Sequence, residues 1–146
     1  MPKMIFVNLA VADLEKSAAF YEAVGFTRNQ RFSRPGSAAA MTWSDTIAFM
    51  LLSREHFAKF TSKTIIDARS SVEALLCLSR DSRAEVDAIV EAARAAGGKA
   101  DPCPQQDYGF MYSRSFEDLD GHVFEPMWMD LDAAVAAMGN QQTEAA

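Results

Sequence analysis

The chain has 146 residues, of which 49% are hydrophobic and 23% charged, and its formal net charge at pH 7 is −6. This length and balance predict one globular domain or two small, closely packed modules. The negative charge argues against a nucleic-acid-binding protein, which needs a basic face. The sequence has no apolar run of 18 residues and opens without a signal-peptide pattern, so neither a membrane span nor secretion is expected.

The two cysteines, Cys77 and Cys103, do not have the C-x-x-C spacing of a metal site. Cys77 lies in an apolar, strand-like run, and Cys103 lies between two prolines. This usage favours two free thiols in a reducing cytoplasm over a disulfide. A cytoplasmic protein is therefore expected.

The first half of the chain predicts a strand, a helix and three further strands. Apolar β-formers predict a strand over Met4–Val11, and Asp13 is the expected N-cap of a helix that Gly25 ends. A short helical piece is expected in the run REHFAKF. The further strands are predicted at Phe26–Phe32, Ala38–Trp43 and Thr46–Leu52.

The second half repeats this order. Asp81 is the expected N-cap of a helix over Ala84–Ala96, which Gly97 and Gly98 end. An acidic turn before His122 joins the last two strands, and a terminal helix over Leu131–Met138 precedes a frayed tail at Gly139–Ala146. The strands are predicted at Val72–Leu78, Lys99–Pro104, Phe110–Phe116 and His122–Met129.

This internal repeat predicts an α+β fold of two βαβββ modules. Residues 1–66 form the first module, residues 67–130 the second, and residues 131–146 the C-terminal helix and tail. Helices are expected to cover one face of each mixed sheet. The opposite faces would then curl around a central cleft.

Glu125 is the one carboxylate inside the apolar strand His122–Met129, where burial is costly unless the charge is paired. Two interpretations follow. Glu125 is a general base whose pKa is raised by an apolar pocket, or it is a structural residue paired with Asn8, Arg114 or a tyrosine. His56 and His122 are expected outside the site.

Two motifs carry a resemblance to a known family. They are VADLEKSAAFYEAVGF at Val11–Phe26 and FEDLDGHVFE at Phe116–Glu125. With these motifs the chain resembles the glyoxalase / bleomycin-resistance / extradiol-dioxygenase group, the vicinal oxygen chelate superfamily. It is similar in particular to a subgroup labelled predicted lactoylglutathione lyase. The resemblance covers Met4–Met129 and implies the same paired-module fold.

Metal-using members of that family hold a divalent ion with four residues, normally His, Glu or Gln, His, and Glu. By resemblance, these positions fall on Phe6, Phe49, Leu75 and Glu125, of which only Glu125 is a metal ligand. A shift of one residue would offer Val7, Ala48 or Met50, and Ala74 or Leu76, none of which suits zinc, nickel or iron. We therefore expect neither the usual metal nor another cofactor.

The resemblance and the alternation of strand side chains together predict an apolar, sulfur-rich cleft lining with Asn8 and Glu125 as polar anchors. Tyr112 and Arg114 are placed at its mouth, or else are ordinary strand residues. In a second interpretation, Phe6, Phe49 and Leu75 fill the former metal cavity as core. The candidate catalytic residue is Glu125, and the predicted ligand-binding residues are Phe6, Asn8, Phe49, Leu75, Cys77, Tyr112, Arg114, Glu125 and Met127.

These observations favour a protein that binds a small organic ligand without the usual metal, either as a sequestering protein or as an enzyme that uses Glu125. One alternative is a metal-dependent lyase, isomerase or dioxygenase of the same family, with its ligands elsewhere. Another is a structural dimer module whose cleft is filled by its own side chains. The resemblance also implies a homodimer.

Overall fold

The computed structural model describes residues 2–145, with side chains described as far as Gly139. The first half of the chain forms a four-stranded sheet in the order β1-β4-β3-β2. The pairing of β1 with β4 is parallel, and the other pairings are antiparallel. The strands are β1 (Ile5–Val11), β2 (Thr27–Arg34), β3 (Ala38–Thr42) and β4 (Ile47–Ser53).

The second half forms a second sheet in the order β6-β9-β10-β8-β7, with β5 pairing parallel to β10. Its strands are β5 (Leu75–Ser79), β6 (Lys99–Ala100), β7 (Gln106–Asp107), β8 (Met111–Ser113), β9 (Phe116–Glu117) and β10 (Val123–Met129).

One predicted strand, Phe110–Phe116, is interrupted between β8 and β9. Both pieces pair with β10, at Ser113 with Met127 and at Phe116 with Phe124. Between them lies Pro126, whose carbonyl accepts from the N–H of Arg114 at 3.3 Å but which has no N–H to return. The missing donor breaks the ladder at this point.

The two long helices that cover the sheets begin at side-chain caps. In α1 (Leu14–Ala23), Asp13 accepts from the N–H of Lys16 as predicted, and Gly25 follows with a left-handed φ of 111°. The N-cap of α3 (Arg83–Ala95) is Ser82, so the prediction of Asp81 was wrong by one residue. Ser82 accepts from the N–H of Glu85 at 3.1 Å, while the Glu85 carboxylate accepts from the N–H of Asp81 at 2.7 Å.

The two remaining helices lie outside the repeat. The run REHFAKF forms a short helix, α2 (Arg54–Phe57), and a 3-10 turn at Ala58–Phe60. The terminal helix α4 (Leu131–Ala145) runs seven residues beyond the predicted end at Met138, since one internal glycine lowers helix stability by only about 1 kcal/mol. Ala146 lies outside the described residues. None of the helices in residues 2–145 has the length and hydropathy that a bilayer span needs.

A single hydrophobic core joins both halves. The inner faces of both sheets and the apolar sides of α1 and α3 contribute to it. The Phe116 and Phe124 rings stack with centroids 5.1 Å apart, and Tyr21 meets Phe124 edge-on at 5.8 Å. The result is the predicted α+β fold, in which two curled sheets turn one face to the helices. The predicted module boundary between residues 66 and 67 lies in the segment that connects the sheets.

Candidate functional site

The register of β1 and β4 decides which side chains of the first sheet face away from the core. Val7 lies beside Phe49, and Asn8 lies beside Met50. Paired residues on neighbouring strands share a face, and successive residues alternate. Since Val7 packs against the core, Asn8 and Met50 lie on the opposite, open face together with Phe6.

Phe49 does not line the cleft, contrary to prediction. It is 2% exposed, and its ring lies 5.4 Å from that of Phe26 and 5.5 Å from that of Phe124, within the core. The prediction placed this strand one residue out of register. Ala48 and Met50 hold the positions on the open face that were assigned to Phe49 and its neighbours.

In the second sheet the predicted faces agree with the structure. Glu125 lies beside Cys77 and Val123 beside Leu75, whereas Phe124 is fully buried in the core. Burial and the nearby Glu125 carboxylate both raise the pKa of the Cys77 thiol. Met127 follows on the same face, beside Ser113 of β8.

Glu125 has neither a hydrogen bond nor an ion pair within residues 2–139, where side chains are described. The predicted pairing with Asn8, Arg114 or a tyrosine is therefore not formed among them. The carboxylate is half-buried on the open face, and its close neighbour is the Cys77 thiol. This arrangement leaves its oxygens available to a donor from outside the described chain.

Tyr112 and Arg114 lie on the helix side of the second sheet and do not reach a cleft mouth. Tyr112 donates to Asp87 of α3 at 2.6 Å. Arg114 forms ion pairs with Asp87 at 3.1 Å, with Glu91 at 3.1 Å and with Asp101 at 2.7 Å. The Asp101 carboxylate, followed by those of Asp87 and Glu91, raises the pKa of Arg114. Both side chains therefore hold α3 on the sheet.

The residues at the family's metal positions do not fit a divalent ion. Phe6 and Leu75 lie on the open faces with 56% and 52% of their surface exposed, and neither offers a ligand atom. Phe49 is in the core, and its neighbours on the open face, Ala48 and Met50, supply only a weak thioether. Within residues 2–139, no group of three His, Cys, Asp or Glu side chains is placed to hold a metal. No chemical step is assigned to a metal here.

A cavity of about 430 Å³ lies where the edge of β1 approaches β5. The connecting segment 57–74 covers it, and the turn before β10 closes one side. Most of its lining is apolar, with polar atoms from Asn8, Thr61, Lys63, Thr64, Ser71, Glu73 and His122. This combination is typical of a binding site for a small organic molecule.

Of the nine predicted ligand-binding residues, Asn8 alone lines this cavity in the described part of the chain. The connecting segment and His122 were missed. The segment shows neither helical nor strand periodicity, so no pattern assigned its side chains to a face. His122 was expected at the surface, but its Nε2 lies 2.8 Å from the carbonyl oxygen of Ala10 and joins the turn to β1.

A second, more polar hollow of about 250 Å³ adjoins the cavity. Arg54 and Arg69 lie on its wall with Asp67 and Asp120. The carboxylate of Asp120 accepts from the N–H of Ala12 at 2.8 Å and from the hydroxyl of Ser17 at 3.2 Å. These bonds tie the wall of the hollow to the start of α1.

Comparison with known proteins supports the fold and identifies the family. The hypothetical protein SA1046 from S. aureus is 29% identical, over 88% of this chain and 94% of that one, with a TM-score of 0.72. A glyoxalase/bleomycin resistance protein/dioxygenase family enzyme from Burkholderia phytofirmans PsJN is 23% identical, over 88% and 100%, with a TM-score of 0.71. The fosfomycin resistance protein FosX from Listeria monocytogenes is 19% identical, over 90% and 97%, with a TM-score of 0.61.

The last two likenesses show the fold alone. A search of curated proteins found no significant match. The sequence profile of one family matches residues 3–125, which include both motifs, both sheets up to Glu125 and the covering segment. This chain therefore belongs to the Glyoxalase/Bleomycin resistance protein/Dioxygenase superfamily.

Proposed function

We propose that this protein binds a small, largely apolar organic molecule in the cavity beneath segment 57–74, without the metal of its metal-using relatives. The observation that carries the proposal is the cavity itself. Its volume of about 430 Å³ falls within the roughly 300–1,000 Å³ of small-molecule sites. Asn8 and His122 are two of the polar residues on a mainly apolar wall, which suits a ligand with few polar atoms.

Metal-independent binding is supported by the residues at the family's metal positions, where Phe6, Leu75 and the buried Phe49 replace ligands. Glu125 lies outside the cavity lining, so binding there assigns it no chemical step. Glu125 stays a candidate base only for a molecule on the open sheet face.

The proposal extends to a cytoplasmic homodimer. Phe6 and Leu75 expose more than half of their surfaces on the open sheet faces, which favours burial against a second copy. Cys77 and Cys103 are free thiols in the structure, which supports a reducing compartment.

Thermal unfolding with a series of neutral aromatic alcohols, from phenol to naphthol, tests the cavity. A ligand at a hundred times its dissociation constant stabilises the folded state by about 2.7 kcal/mol, and we expect at least one alcohol to raise the Tm. Val72→Trp should abolish this shift, because Val72 lines the cavity and, at 65% exposed, has room for a larger side chain.

Ser62→Trp is the matched control, since Ser62 lies on the same exposed segment but not on the cavity wall. It should leave the shift unchanged. The proposal is wrong if no alcohol raises the Tm of the unmodified protein, or if both tryptophan variants lose the shift equally.

A further inference from the structure

The apolar cavity and the polar hollow beside it share part of their walls. Ala10, Ile66, Ala68 and His122 line both spaces. The cavity and the hollow therefore lie side by side, separated by these four residues. The two spaces differ in chemistry, since one is walled mainly by hydrocarbon and the other by charged side chains.

The hollow contains two guanidinium groups without acidic partners. Arg54 donates through Nη2 to the carbonyl oxygen of Ile65 at 3.2 Å, and Arg69 donates through Nη2 to that of Leu119 at 3.0 Å. Neither forms an ion pair with the side chains described in residues 2–139. Each guanidinium has five N–H donors, so most remain available to a ligand.

The carboxylates of the hollow are engaged with protein donors. Asp120 accepts from Ala12 and Ser17 through its two oxygens, and Asp67 accepts from the N–H of Arg69 at 3.0 Å. The two positive and two negative charges balance overall. A carboxylate between the two arginines would therefore accept from their free N–H groups, which suit its planar pair of oxygens.

We infer that the ligand of this site is an amphipathic organic monoacid, with its hydrocarbon body in the cavity and its carboxylate between Arg54 and Arg69. The inference rests on the proposed function and adds the class of ligand to it. The side-by-side position of the two spaces supports this assignment, since the hollow adjoins the cavity at His122 and the apolar part of the ligand would lie beneath segment 57–74.

Calorimetric titration with saturated fatty acids of eight to fourteen carbons, and with their primary amides, tests this assignment. The amide has the shape of the acid but no charge. The unmodified protein should bind at least one acid ten or more times as tightly as its amide. The double variant Arg54→Gln/Arg69→Gln should weaken acid binding at least tenfold and change amide binding less than twofold. A matched control, Arg31→Gln/Arg34→Gln, removes two exposed charges from β2 and should change neither.

The outcomes separate the two proposals. Equal affinity for acid and amide in the unmodified protein, or unchanged acid affinity in the Arg54/Arg69 variant, overturns the monoacid assignment. If Val72→Trp still abolishes amide binding in that case, the cavity proposal stands. If no acid of the series binds, the monoacid assignment is wrong.

Discussion

Tyr21 and Asp118 form a buried polar contact between the two halves of the chain. The Tyr21 hydroxyl, on α1, donates to the Asp118 carboxylate at 2.6 Å, and the same carboxylate accepts from the N–H groups of Asp120 and His122. Burial raises the pKa of both groups, and the adjacent Asp118 carboxylate raises that of Tyr21 further. A carboxylate this deeply buried depends on each of its donors.

Tyr21→Phe tests this dependence at the residue scale. The ring would still fill the core, but one oxygen of Asp118 would lose its donor, and an unsatisfied buried group costs about 1–3 kcal/mol or more when it is charged. We expect urea unfolding at pH 7 to give a free energy of unfolding about 2–3 kcal/mol lower than that of the unmodified protein. Tyr108→Phe, at a side chain 62% exposed, is the control and should change stability by less than about 0.5 kcal/mol. A Tyr21→Phe variant as stable as the unmodified protein would contradict this account.

At the element scale, the turn before β10 supports the covering segment through a glycine. Gly121 has a φ of 98°, and a Cβ there would lie 2.7 Å from the carbonyl carbon of Ala68 and from the amide nitrogen of Arg69. Backbone cannot move aside as a flexible side chain can. The close approach of Gly121 to residues 68 and 69 therefore sets how tightly segment 57–74 closes over the cavity.

We expect Gly121→Ala to lower the free energy of unfolding by about 1–3 kcal/mol or more, since a non-glycine residue at this φ costs about that much. The displaced segment should also be cut faster in limited proteolysis between residues 57 and 74. Gly139→Ala is the matched control, because a Cβ there meets no atom within 4 Å and alanine favours the helix. Equal stability and equal cleavage rates for both variants would rule out the proposed support.

The elements also show why local patterns predicted the helices better than the site. The spacing of Asp13, Gly25 and the apolar residues between them identifies α1 from neighbouring positions alone. In β4, apolar residues occupy both faces, so alternation did not distinguish Phe49 from Ala48 and Met50. The pairing of β4 with β1 places Phe49 on the core face and Ala48 and Met50 on the open face. Similarly, Pro126 breaks a ladder whose paired residues lie 6 to 18 positions apart in the chain.

At the scale of the whole molecule, exposed apolar residues on the open sheet faces predict a homodimer. Light scattering on a sizing column should give twice the 16.0 kDa of one chain. Phe6→Glu/Leu75→Glu should give a monomer, because two carboxylates would be placed where apolar surface is expected to be buried.

Val135→Glu tests another exposed apolar surface, on α4, where Val135 is 69% exposed. It should leave the dimer intact. Dissociation by this change alone would move the interface to α4 and contradict the assignment to the sheet faces.

The α+β repeat, the caps of α1 and the family could all be predicted from the sequence, because they depend on residues close together in the chain. Of the four positions assigned to the metal by resemblance, only Glu125 lies within the two motifs. Tertiary structure alone decided where the cavity lies. It depends on the register of β1 and β4, on His122 reaching Ala10, and on segment 57–74 meeting Gly121. These contacts join residues up to 112 positions apart, and no local periodicity encodes them.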